Sequence, residues 1–129
     1  MQTIKHTTLL VSDYDEAIEF YTLKLKFEVI EDKLINDTKR WVLIAPQGSV
    51  GTSILLAKAV NEKQKALIGN QCYGKVFMFL YTDSINDDYE QLKKNAIEIV
   101  EDLKQKPHGK VLVFADLYGN RWDLIEPNL

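Results

Sequence analysis

Two segments of this chain repeat one another. Sliding the sequence by about 71 residues lays VSDYDEAIEFY (residues 11–21) over TDSINDDYEQL (residues 82–92), and each follows an alternating segment and opens a helix. In the first copy, IKHTTLLV alternates as a half-buried strand does. Ser12 and Asp13 then open a helix with apolar residues at Ala17, Ile18, Tyr21 and Leu25. Strands follow at about 28–34, 40–45 and 52–57. In the second copy KVFMFLYT is the strand, and Asp83 or Ser84 opens a helix with apolar residues at Ile85, Tyr89, Leu92 and Ala96. Strands near 97–102, 111–115 and 121–125 complete it, the last two joined by DLYGN, a turn-forming sequence. The pattern βαβββ is written twice, in module 1 (about 1–60) and module 2 (about 72–129).

Composition narrows what such a repeat can do. With 129 residues, 46% hydrophobic and 27% charged, the chain suffices for one domain with a real core and is too short for two independent ones. The net charge of −3 is spread along the sequence without a basic block, so nucleic acid is not an expected partner. The longest uncharged run, Trp41 to Ala57, is broken by Pro46, Gly48, Ser49 and Gly51, which makes it two strands and a loop and not a membrane span. The N-terminal residues lack the pattern of an export signal, and Cys72 is alone, so no internal disulfide forms; cytoplasm is the expected compartment.

Three blocks, HTTLLVSDYDEAIEFYTLKLKFEV, FLYTDSINDDYEQLKKNAIEIV and VFADLYGNRWDLIEP, resemble the vicinal oxygen chelate superfamily, which includes glyoxalase I, extradiol dioxygenases and bleomycin-resistance proteins. The resemblance covers nearly the whole chain. It implies an α+β fold in which two βαβββ modules form one curved mixed sheet whose concave face holds the site, within a single domain spanning 1–129 and commonly in a homodimer. Family helices often end in LGF and GV, where this chain has Leu25-Lys26-Phe27 and Ala96-Ile97. Glycine would take the left-handed position there without strain, so Asn95 or a different helix ending is expected to serve.

In metal-dependent members, the resemblance further implies, a divalent ion is held by side chains on the first and last strands of each module. Carried over by position, two ligands fall on His6 and Asp123, an imidazole and a carboxylate suited to such an ion. The second module's first-strand position falls on Phe77, or on Lys75 with a bulge, and neither is a donor; 38–61 contains no Asp, Glu, His or Cys at all. No cofactor is therefore expected. The alternative is a divalent metal on His6 and Asp123, completed by His108 from a loop, by water or by substrate. A plainer assignment stands beside each residue: His6 hydrogen-bonded within a cavity, Asp123 paired with Arg121 or His6, and His108 exposed.

Strand alternation outlines the pocket. His6 and Thr8 share one face, Lys75, Phe77, Phe79 and Tyr81 share its equivalent, Arg121 and Asp123 join from the last strand, and Trp41 is expected to join them. Such an aromatic and apolar surface with a few polar groups suits a small molecule. Two functions of different class follow. One is a metal-free binding protein for a small aromatic or anionic compound. The other is a metal-dependent lyase, isomerase or dioxygenase acting on vicinal oxygens. Cys72 lacks the sequence context of a nucleophile.

Overall fold

The computed structural model describes residues 1–129 as two compact units, Met1–Ile68 and Gly69–Leu129. The first contains β1 (His6–Val11), α1 (Tyr14–Leu23), β2 (Phe27–Leu34), β3 (Arg40–Pro46), β4 (Ser53–Lys58) and a short α2 (Glu62–Leu67). The second contains β5 (Met78–Tyr81), α3 (Ile85–Lys94), β6 (Ile99–Lys106), β7 (Gly109–Ala115) and β8 (Arg121–Pro127). No helix is long and apolar enough to cross a membrane.

The expected single curved sheet is not what forms. There are two four-stranded mixed sheets, ordered β1-β4-β3-β2 and β5-β8-β7-β6. In each, the first strand pairs in parallel with the last and the other ladders are antiparallel. The physical reason lies in the crossover. The return of β4 beside β1, and of β8 beside β5, completes each ladder with strands of its own unit, whereas alternation in sequence specifies a strand without naming its hydrogen-bonding neighbour.

Register makes the repeat exact enough to compare residue with residue. One row across the first sheet reads Thr8, Leu55, Leu43, Glu31, and the corresponding row across the second reads Phe79, Asp123, Val113, Glu101. Both outer strands shift register immediately before the glutamate, between Val29 and Glu31 and between Ile99 and Glu101. A bulge at the same place in both copies re-aims the following side chain in the same way.

Local chemistry explains the helices. Asp13 caps α1 by accepting from the Glu16 N–H at 2.8 Å, and the Ser12 hydroxyl donates to the Glu16 carboxylate. The helix buries Tyr14, Ala17 and Tyr21, spaced to share one face, with the Tyr21 ring against Phe27. Ser84 is the N-cap of α3 but its side chain makes no capping bond; the Glu126 carboxylate takes the Ile85 N–H instead, at 2.9 Å. At the other end, the Ile97 N–H donates to the Leu92 carbonyl and the Ala96 N–H to the Lys93 carbonyl, with Leu92 and Ile97 both buried. This is a Schellman ending.

The left-handed position in that ending belongs to Ala96 (φ 57°), not to Asn95 (φ −88°), and after α1 it belongs to Lys26 (φ 60°). Each therefore carries a steric penalty of about 1–2 kcal/mol that glycine would avoid. Helix α2 was not foreseen. It buries no residue, so it has no apolar stripe to reveal it. Its signal was the cap: Asn61 accepts from the Gln64 N–H, and Gln64 reaches back to the Val60 N–H, each at 2.8 Å.

Candidate functional site

The first unit carries a cleft of about 530 Å³. Its floor is the open face of the sheet, Leu10, Leu55 and Ala57, because alternation sends Leu9, Val11, Ile54 and Leu56 to the buried side. Tyr14 from the first turn of α1, Trp41 from β3 and Gln64 from α2 form walls, and Asn36, Thr38 and Lys39 come from the β2–β3 hairpin. Thr8 and Trp41, both anticipated from sequence, line it. His6 sits edge-on to Trp41 with ring centroids 5.9 Å apart, and its buried Nδ1 has no hydrogen-bond partner.

Arg40 holds the hairpin in place. Its guanidinium bonds to Asp15 at the start of α1 (2.8 Å) and Asp32 on β2 (2.7 Å), lies 5.3 Å from the Tyr14 ring centroid, and has its pKa raised by those two carboxylates. Its charge is therefore already matched. Lys39 and Lys58, also on the cleft, make no ion pair. The Lys33 ammonium, 2.8 Å away, holds the Glu31 carboxyl below the usual range, with the Trp41 indole and His6 adding to the effect.

In the second unit, Asp123 lies half-buried on β8, paired in register with Phe79. Burial pushes its carboxyl up; Lys106, His108 and Lys104 pull it back and Glu101 adds to the rise. It forms no ion pair with Arg121 or any other residue, and its buried Oδ1 has no hydrogen-bond partner. Phe79 and Tyr81 stand 64% and 65% exposed on β5 instead of lining a closed pocket. Lys75, Phe77 and Arg121 line a separate depression of about 30 Å³. His108 is exposed in the β6–β7 turn.

The donor set does not fit a family-type metal centre. Register puts Leu55 at the first unit's counterpart of Asp123, and the second unit's counterpart of His6 is Phe77, so each unit supplies one donor and one hydrocarbon. No group of three or more His, Cys, Asp or Glu side chains comes together. Three protein donors are the usual minimum for a catalytic zinc.

Sequence reasoning missed Tyr14, Arg40, Gln64 and the hairpin residues. Arg40 was hidden because its role depends on two carboxylates 25 and 8 residues away in sequence. The DLYGN turn was foreseen but its anchor was not. Asp116, only 6% exposed, accepts from the Tyr118 and Asn120 N–H groups, the Asn120 carboxamide and the Trp122 indole.

A family model described as Glyoxalase/Bleomycin resistance protein/Dioxygenase superfamily matches residues 3–124. A protein of Shewanella frigidimarina (strain NCIMB 400) is 48% identical over 128 residues, covering 98% of this chain and 95% of that one. The crystal structure of UcmS2 is similar with a TM-score of 0.85 at 28% identity, covering 98% of both chains. That of TnmS3, described as an antibiotic binding protein from Streptomyces sp. CB03234, has a TM-score of 0.81 at 24% identity and covers 99% of this chain and 98% of that one. A family model that spans nearly the whole chain, together with the twice-written βαβββ topology, settles the relationship: the chain belongs to the glyoxalase/bleomycin resistance protein/dioxygenase superfamily.

Proposed function

We propose that this protein binds a small, flat, aromatic and anionic compound in the cleft of its first unit, without a bound metal. The observation that carries this reading is the cleft itself. Its volume falls within the range of small-molecule sites, about 300–1,000 Å³. Its apolar floor and the Trp41 ring suit a flat hydrocarbon surface, and the unpaired Lys39 and Lys58 supply positive charge. TnmS3, a protein of the same fold, is described as an antibiotic binding protein, so the fold is compatible with a binding role.

The lack of a third and fourth donor supports a metal-free role over a metal-dependent lyase, isomerase or dioxygenase. We further infer a two-fold homodimer, since Phe79 and Tyr81 on an edge strand leave aromatic surface that a second copy would cover. Small molecules are the expected partner in place of nucleic acid, given the net charge of −3.

The test uses anilinonaphthalene sulfonate, a flat aromatic anion, as probe. Saturable enhancement of the probe's own fluorescence is expected, lost in Trp41→Ala and weakened in the Lys39→Glu/Lys58→Glu double variant. Absence of saturable binding by this probe and by a panel of aromatic acids would overturn the reading.

A further inference from the structure

We propose that the second unit carries a small-oxyanion site of its own, a seat for a phosphate or carboxylate head, where residues 69–75 meet the 116–120 turn. Lys75 and Arg121 both line the depression of about 30 Å³ there, and neither makes an ion pair. In a chain with net charge −3, no carboxylate lines this spot. Two cationic residues and no carboxylate in the lining make the hollow more favourable to an anion than to a cation.

Hydrogen-bonding chemistry points the same way. Beyond the two cations, the polar lining includes Asn70, Gln71 and Asn120, and the Asn70 carboxamide carries NH₂ donors. The guanidinium offers the planar fork that matches an oxyanion, and the ammonium adds a point charge.

The walls are fixed before any ligand arrives. Asn120 is 3% exposed and its carboxamide donates to the buried Asp116 at 2.9 Å. Gly69 takes φ +76° and packs so closely that a Cβ there would meet the Tyr118 carbonyl oxygen at 1.9 Å, which ties the 69–75 segment to the turn. At about 30 Å³ the hollow has room for roughly two water-sized centres. That admits the charged head of a ligand and leaves an organic body outside.

The experiment is an NMR titration of the full chain with inorganic phosphate at constant ionic strength, with benzoate and phenyl phosphate in parallel. Saturable shifts confined to the Gly74 and Gly119 amides and the Arg121 side chain are expected. Arg121→Gln should weaken binding by about tenfold, Lys75→Gln by less, and Arg121→Lys should retain part of it. Saturation by benzoate alone or phosphate alone supports the site and names the head it prefers. Both side chains are exposed, so an unchanged remainder of the spectrum certifies each variant's fold. Shifts that rise linearly and spread over the whole chain overturn the proposal, as does saturable binding that neither variant changes.

Discussion

Leu55 occupies in β4 the register position that Asp123 occupies in β8: Leu55 lies opposite Thr8, and Asp123 lies opposite Phe79, the residue that corresponds to Thr8 in the repeat. The same backbone position thus holds hydrocarbon in one unit and a carboxylate in the other. That difference governs the metal question, because a leucine can neither donate an electron pair nor be replaced in that role by a strand neighbour facing the buried side.

The dialysed protein is expected to hold no stoichiometric divalent metal. Elemental analysis checks this directly. About one zinc, nickel, manganese or iron per chain, lost in His6→Ala or Asp123→Ala, would show that other donors complete a site.

Asp123→Asn should fold and be at least as stable as the parent at neutral pH. Burial raises the folded-state pKa of this carboxyl above its unfolded value, so the ionised form carries a penalty in the folded protein. That penalty is fully present above the folded pKa and disappears as pH falls through it toward the unfolded value. Urea midpoints at neutral and acid pH should therefore show the variant's advantage shrinking on acidification. A loss of roughly 3 kcal/mol or more at neutral pH would instead reveal a charge partner.

Lys26→Gly and Ala96→Gly should each stabilise the fold by about 1 kcal/mol. Both positions are left-handed, at φ 60° and 57°, and the relief of steric strain there outweighs the extra freedom glycine gives the unfolded chain. Equilibrium denaturation measures the gain. A Lys24→Gly control, at a right-handed position, should lose stability.

Asp116→Ala should cost about 3 kcal/mol, because it strands the Asn120 N–H and carboxamide in a buried turn. Asp116→Asn, which keeps one acceptor oxygen, should cost less. Thermal melts that leave the alanine variant within about 0.5 kcal/mol of the parent would show that water replaces the carboxylate.

Much of the architecture was legible because it is written locally and twice. The periodicity of residues 4–11 and 75–82, the Asp13 cap and the DLYGN turn depend on near neighbours, and their elements formed within a few residues of the expected bounds. Strand alternation also placed Leu9 and Val11 on the buried side and Thr8 and Leu10 on the other. Helix α2 was overlooked because a polar helix has no apolar period, although Asn61 and Gln64 announced its cap.

What the sequence determined by itself was the order and type of elements, the family, and the lack of metal donors between residues 38 and 61. Tertiary structure decided the rest. The partition into two sheets depends on which strands share ladders, and period-two alternation is blind to that choice. The cleft depends on Arg40 joining Asp15 and Asp32, and on Tyr14, Trp41 and Gln64 converging from three different elements. Only the folded chain could show that Phe79 and Tyr81 stay exposed while an oxygen of Asp123 is buried without a partner. Exposure and hydrogen-bond satisfaction are sums over neighbours distant in sequence, so no local pattern encodes them.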